Sequence, residues 1–431
     1  GAISLIYASI SFITILFRYG MDSALMKFYS NNSSNQRKII FSSIFFIQIV
    51  TSLVLGMILY HILSYSSFYI LGSYLDYNII KVIIIIIVLD ILWNIPTLTL
   101  RIDEYPLQFT ILNFLYVILT IIFNLVFIIY LDMGVKGIFY GNLIASFLIL
   151  LFSFPVIINN FRFKLISLSM IKKILYFGIP FLPAGIFTMM IELADRYMLE
   201  WIDGTEIVGI YSAAYKLGMV GLLLIMSFNL GWTPFFLKIG KKKDSKYIFS
   251  KITTYFLGIY GLVAIFFSLI LDVVLAFKIN EFSLLGLEYM EAAKIIPIIL
   301  LSYFFLGIYI MQLPTIYLPE KTYWIPFLRG LGAISNIILN ILLIPHYSFV
   351  GAAISTLISY ILMALFTFLL SKKFYQIPIR WMGIIIPMLG IMGTMYFSMD
   401  IMGRAFYLGI YIFLWILFVS DSEERKWIFR I

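Results

Sequence analysis

Residues Ile79–Leu100 read IIKVIIIIIVLDILWNIPTLTL. Apart from Lys81, Asp90, Asn94 and two threonines, the run is aliphatic or aromatic. A helix rises about 1.5 Å per residue, so about 20 apolar residues cross a hydrocarbon core of about 30 Å. The run is too long for a strand and fits a spanning helix. Similar runs occupy 2–18, 38–63, 106–131, 135–158, 172–196, 206–230, 252–277, 291–314, 323–345, 349–371, 377–398 and 402–420. The chain has 431 residues, of which 63% are hydrophobic and 12% charged. A soluble domain averages about 45–50% apolar and about 25% charged. The expected fold is therefore all-α, a polytopic membrane protein with about thirteen spanning helices, and soluble or disordered chains are excluded.

There is no Cys, which removes disulfides and thiolate chemistry, and His61 and His346 sit in no metal-ligand spacing. The net charge of +9 is read as loop charge that orients the chain, not as a nucleic-acid footprint. Alternate loops hold Arg18, Lys27, Arg37 and Lys38, then Arg101, then Arg162, Lys164, Lys172 and Lys173, then the Lys238–Lys251 group, then Lys321, then Lys372, Lys373 and Arg380, with Arg425, Lys426 and Arg430 in the tail. The positive-inside rule puts these in the cytoplasm. The C-terminus is then cytoplasmic, residue 1 lies outside, and a bacterial inner membrane is the expected home.

An internal repeat follows. Val135–Ala145 resembles Phe349–Ser359, and in the preceding helices Asn113, Thr120 and Asn124 match Arg329, Asn336 and Asn340. Gly1–Ser4 resembles Gly209–Ser212, and Gly20–Asp22 with Lys27 resembles Gly231–Thr233 with Lys238. Parallel repeats about an axis normal to the membrane are a transporter signature. The expected organisation is an N-terminal lobe over 1–158, a C-terminal lobe over 159–371, and two peripheral helices with a short tail over 372–431. The helix at 172–196 has no counterpart in the first copy, which reads as a missing first helix.

Three stretches carry a family resemblance: Arg18–Tyr29 (RYGMDSALMKFY), Phe177–Pro183 (FGIPFLP), and Ala194–Leu199 (ADRYML) followed by Val208–Leu217 (VGIYSAAYKL). On these the chain resembles the polysaccharide-export or O-antigen-type flippases of the multidrug/oligosaccharidyl-lipid/polysaccharide (MOP) exporter superfamily. The resemblance implies two six-helix lobes, often with two extra C-terminal helices, transport of lipid-linked sugars and no cofactor. It also implies a first helix that would help line the cavity. The substrate is expected to be a lipid-pyrophosphate-linked oligosaccharide, the coupling ion H+ or Na+, and the protein a monomer. A cation-coupled multidrug exporter of the same fold is the first rival. A membrane glycan polymerase or ligase is the second, but it would need a sizeable outer loop, and no such loop is present.

An ionised group at mid-bilayer costs about 2.5–3.5 kcal/mol, so each is a functional candidate. Asp90, Asn94, Thr97 and Arg101 share one helix face, reading either as a cavity stripe with a protonatable acid or as a packed seam. Arg329, Asn336 and Asn340 share another, echoed by Asn124 in the first copy; Arg329 either meets substrate or snorkels to the surface. Lys216 lies about ten residues into its helix, roughly 15 Å deep, with Ser212 on its face, and is expected in a water-filled cavity where it would meet pyrophosphate. Glu192, Asp195 and Arg196 read as a surface ion pair or as a gate and proton site. Arg18 and Asp22, four apart, read the same way at the inner surface. Pro180 and Pro183 are expected to kink their helix.

Overall fold

The computed structural model describes residues 10, 12–30, 32–70, 77–276, 278–279, 282–283, 291–395 and 401–420. The Gly1–Ser4 repeat segment and Arg425, Lys426 and Arg430 of the tail lie outside the described residues. The chain divides into two compact units, Gly1–Ile186 and Phe187–Ile431. Among the described residues nine helices are long and apolar enough to cross a membrane, one of them a 50-residue run that bends midway. The only strand pairing among the described residues is a two-residue ladder, Lys278–Ile279 with Phe282–Ser283.

In the first unit, a helix through residues 12–18 is followed by α1 (Met21–Tyr29), α2 (Ser34–Ile70), α3 (Tyr77–Ile102), α4 (Pro106–Leu125), α5 (Gly134–Asn160) and α6 (Leu168–Gly178). Its core gathers Phe17, Ile79, Ile83, Ile86, Ile87, Ile91 and Phe139, so the isoleucine run of α3 is the centre of the unit. The helix α4 buries none of its residues within the protein. With apolar side chains on every side, it presents them to lipid, where helix contact is driven by close packing and not by hydrophobicity.

α7 (Phe181–Asp203) carries the chain into the second unit, followed by α8 (Thr205–Gly218), α9 (Val220–Ile239), α10 (Ser245–Ala276), α11 (Ile296–Met311), the single turn α12 (Pro314–Tyr317), α13 (Trp324–Lys373), α14 (Met382–Gly393) and α15 (Ile401–Phe418). The central element is α11, in which 14 of 16 residues are buried. The last two helices pack closely on α10 through its glycines. A Cβ on Gly258 would lie 2.3 Å from the Trp415 ring, and one on Gly261 would lie 2.6 Å from Pro387. The Tyr411 hydroxyl donates to the Gly258 carbonyl at 2.7 Å.

Several expected helices divide. The 172–196 run breaks at Ile179–Pro180 into α6 and α7, because proline has no N–H to give and clashes with the turn before it. The 206–230 run breaks at Met219 into α8 and α9. The runs 323–345 and 349–371 form α13, bent at Ser348 (φ 49°, ψ −133°). The loops expected at 19–37 and 231–251 are mostly helix. Their lysines lower the hydropathy without ending the backbone ladder, so spans run past the apolar core into the interface.

The repeat is visible in the backbone. The displacement that aligns Asn124 with Asn340 also aligns Glu104 (φ 63°) with Glu320 (φ 59°), and Asp132 (φ 49°) with Ser348 (φ 49°). Positive φ is uncommon for residues other than glycine, so its recurrence at two matched turns is a strong mark of common architecture. The close approaches recur as well. A Cβ on Gly137 would sit 3.0 Å from the Phe127 backbone, and one on Gly351 would sit 2.5 Å from the carbonyl oxygen of Leu343, the residue that matches Phe127.

The first two resemblance stretches meet in the first unit. The chain turns at Tyr19 (φ 28°) and Gly20 (φ 78°). A Cβ on Gly20 would lie 2.3 Å from the Gly178 carbonyl oxygen, so both glycines are needed for backbone contact. Phe28 meets Phe177 edge-on at 5.3 Å. The Gln48 amide donates to the Phe17 carbonyl at 2.7 Å, supplying a partner where the helix ends. A clasp closes one end of this unit. Arg37 pairs with Asp103 at 2.8 Å and stacks on Tyr29, whose hydroxyl reaches Asp103 and Asn160 at 3.3 Å each. Burial raises the Asp103 carboxyl above the ordinary range, and Arg37 draws it back part of the way.

Candidate functional site

The second unit concentrates buried charge where α7, α8, α11 and α13 converge. Asp195 is 0% exposed. One of its oxygens accepts the Tyr211 hydroxyl, and the other accepts the Arg196 backbone N–H at 2.8 Å. The Arg196 guanidinium lies 3.5 Å from that second oxygen and donates to the Glu192 carbonyl one turn back. It also lies over the rings of Tyr215 (4.6 Å) and Tyr211 (5.9 Å). Glu192 accepts from Tyr360 at 2.8 Å and from Tyr215 at 3.3 Å, and Tyr303 donates to Tyr215 at 3.0 Å. Asp195 thus pairs with the guanidinium, and the Glu192 carboxylate is held by phenols.

The helical repeat explains the placement. Glu192, Asp195 and Arg196 lie within one turn of α7, and Tyr211 and Tyr215 lie one turn apart on α8. Gly204 (φ 92°) reverses the chain between the two helices and folds the halves of the third resemblance stretch, Ala194–Leu199 and Val208–Leu217, onto each other. The expected surface ion pair at Glu192, Asp195 and Arg196 is therefore corrected. Asp195 is sealed from solvent, because Tyr211 of α8 covers the carboxylate oxygen that Arg196 of its own helix leaves free. The tyrosines are the missed members of the site. Tyr211 and Tyr215 at helical spacing were a readable signal. Tyr303 and Tyr360 were not, among 30 tyrosines.

With both acids ionised, Glu192, Asp195 and Arg196 sum to −1. A buried net charge is costly in a medium of low dielectric constant. One proton or one monovalent cation would cancel it, with carboxylate and phenol oxygens as ligands. Among the described residues no group of three His, Cys, Asp or Glu could hold a metal ion.

The other candidate residues fall in separate places. Arg329 does not snorkel. It donates to Thr188 of α7 at 2.9 Å and to Tyr309 of α11 at 3.3 Å. Asn336 and Asn340 are fully buried and bond each other at 3.1 Å, and Asn336 reaches Thr356 at 3.3 Å. They pin the two halves of α13 together. Asn124 occupies the matching seam, its side-chain oxygen against Gly141. Lys216 is exposed on α8, with Ser212 half-buried beside it. In the first unit, Asp90 accepts from Ser146 at 2.6 Å and from Trp93 at 2.9 Å, tying α3 to α5. Asn94 is half-buried, and its carbonyl accepts Thr97 at 2.8 Å. Arg18 and Asp22 do not share a helix face as their spacing suggests, because the turn at Tyr19–Gly20 separates them.

The sequence model of the polysaccharide biosynthesis proteins matches residues 1–240, more than half of the chain. The chain belongs to that family. Comparison with curated proteins finds no match. Among solved structures, a point mutant of the Vibrio cholerae MATE transporter VcmN superposes with a TM-score of 0.71 at 15% identity, over 86% of this chain and 88% of that one. The bent form of VcmN gives 0.69 at 15% identity, over 90% and 89%. A MOP superfamily transporter from Pyrococcus furiosus gives 0.68 at 13% identity, over 86% and 87%. These likenesses establish the fold. Family and fold together describe a multi-pass membrane protein of the polysaccharide biosynthesis family with the architecture seen in those transporters.

Proposed function

We propose that the protein is a flippase that moves a lipid-pyrophosphate-linked oligosaccharide from the cytoplasmic to the outer leaflet of a bacterial inner membrane, for surface polysaccharide synthesis. The observation that carries the reading is the −1 cluster of buried Asp195 with half-buried Glu192 and Arg196, in a member of a polysaccharide biosynthesis family. A site that is neutral only when loaded with H+ or Na+ has different free energies loaded and empty, and a conformational equilibrium can be driven by that difference. Alternating access comes from rocking of the lobes read at 1–158 and 159–371, with 372–431 peripheral and the protein acting as a monomer. Lys216 receives the pyrophosphate, since ammonium–phosphate hydrogen bonds are charge-assisted.

In cells that make the glycan, deletion of the gene should abolish surface polysaccharide and leave lipid-linked oligosaccharide in the membrane. Lys216→Ala should cut export by roughly tenfold or more, the weight of one charge-assisted bond, at unchanged protein level, and Lys216→Arg should keep part of it. Normal glycan export by Lys216→Ala, together with altered resistance to cationic drugs, would favour the multidrug exporter instead.

The proposed orientation is tested separately. The chain has no native Cys, and Lys242 is exposed. Lys242→Cys should resist an impermeant thiol reagent in intact cells and react after permeabilisation. Labelling in intact cells would invert the topology.

A further inference from the structure

The turn between α9 and α10 carries a charge that its counterpart in the first copy does without. The displacement that aligns Lys27 with Lys238 also aligns Ser34, where α2 begins, with Ser245, where α10 begins. At the matched turn the first copy reads Ser30-Asn31-Asn32-Ser33 and the second reads Lys241-Lys242-Lys243-Asp244. The neutral version serves the fold, with the Asn32 amide donating to the Phe28 carbonyl at the end of α1. Orientation in the membrane asks for no more than the first copy has, which is Lys27, Arg37 and Lys38. In the second copy the backbone of the turn is held without the lysine side chains. The Lys242 N–H donates to the Ile239 carbonyl at 2.8 Å, and the Ser245 hydroxyl donates to the Lys242 carbonyl at 2.7 Å. Lys241, Lys242 and Lys243 are exposed, and among the described residues no carboxylate pairs with them. Lys238 and Lys246 are exposed on either side, Lys246 over the Tyr375 ring at 5.1 Å. Phe235 and Tyr247, 37% and 56% exposed, flank the cluster, as aromatic rings do at head-group level. Like charges held side by side repel one another, and a surface of opposite charge relieves them.

We infer that this turn is an interaction surface for the anionic phospholipids of the adjoining leaflet, which it gathers beside the second unit. The exposed lysines meet the phosphate oxygens as compact charges on flexible stems. Each lysine near an anionic bilayer is worth about fivefold in binding. Phe235 and Tyr247 favour lipid over a soluble acidic protein, because exposed rings beside the lysines suit the boundary between head groups and acyl chains. Neither transport nor the direction of insertion enters, since a bilayer disc offers the same lipid on both sides.

The test uses the full chain in nanodiscs of mixed phosphatidylcholine and phosphatidylglycerol. A donor dye goes on Asp244→Cys, since the chain has no native Cys, and a trace of either lipid carries the acceptor. Energy transfer should show phosphatidylglycerol enriched at the turn roughly fivefold over phosphatidylcholine, the weight of one lysine. The enrichment should vanish at about 1 M salt, where the screening length falls to about 3 Å. The triple variant Lys241→Ser, Lys242→Asn and Lys243→Asn gives the turn the residues of the first copy, so it should lose the enrichment at an unchanged melting temperature. Lys241→Arg, Lys242→Arg and Lys243→Arg together keep the charge and should keep the enrichment. Equal enrichment of both lipids would overturn the inference and leave an acidic protein as the occupant. Enrichment that survives high salt or the Ser-Asn-Asn variant would overturn it as well.

Discussion

Glu192→Gln should abolish ion-driven transport while leaving the protein folded. The substitution is nearly isosteric and keeps an oxygen for Tyr360, whose hydroxyl lies at 2.8 Å, while the new amide nitrogen faces the Tyr215 hydroxyl at the weaker 3.3 Å contact. It removes the excess negative charge, so the cluster is already neutral without an ion and would carry +1 with one. The coupling free energy between ion and conformation then collapses. Glycan export should fall by roughly 10–100-fold, as expected when a driving term of about 1.5–3 kcal/mol disappears. The remainder should no longer respond when the proton or sodium gradient is dissipated. Asp195→Asn should reduce export as severely and also lower stability, because it strips the half-buried Arg196 guanidinium of its carboxylate. Tyr360→Phe should be milder. Gradient-dependent export by Glu192→Gln at the wild-type rate would remove the cluster from the mechanism.

The second large effect concerns backbone packing. Gly351→Ala should destabilise the purified protein toward the upper end of the ~1–3 kcal/mol range for overpacking. The new methyl would sit 2.5 Å from the Leu343 carbonyl oxygen and 2.6 Å from its carbon, and a helix backbone cannot rotate aside as a side chain can. Gly137→Ala should cost less, since its closest approach is 3.0 Å. Gly231→Ala is the control. Nothing lies within 4 Å of its Cβ position, and replacing glycine in a helix gains up to about 1 kcal/mol. Unfolding midpoints in detergent should therefore rank Gly231→Ala above wild type, then Gly137→Ala, then Gly351→Ala. A neutral Gly351→Ala would mean that the halves of α13 are less closely apposed than described.

What could be read from the sequence divides along a physical line. Spanning helices follow from composition, because lipid leaves the backbone no partners but its own. The repeat was legible at Asn124 and Asn340 because small and amide side chains in apolar helices stand out against their surroundings. The break at Ser348 was legible too, in the gap between the runs 323–345 and 349–371, whereas the break at Met219 was not, since methionine marks no bend. Within the site, the three charges of α7 could be listed but not placed. Glu192 and Arg196 are four apart, a spacing shared by surface pairs and buried ones. Only the approach of Tyr211, Tyr303 and Tyr360 from other helices decides between them. Arg18 and Asp22 misled for a related reason: helix-face arithmetic assumes an unbroken helix, and Gly20 interrupts it.

The matched turns at Asp132 and Ser348 bear on how the protein is made. Each joins two apolar helices whose backbones nearly touch, at Phe127–Gly137 and at Leu343–Gly351, and in the second pair Asn336 and Thr356 already satisfy each other. The second pair brings its buried amides together without help from the rest of the chain. It can therefore leave the translocon as a single antiparallel unit during synthesis, which proceeds from the N-terminus. In the second pair the buried amides never have to face lipid alone. For the ribosome-bound chain, the α4–α5 pair and the two arms of α13 become steps of assembly, and a lesion at either crossing would be met first by membrane quality control.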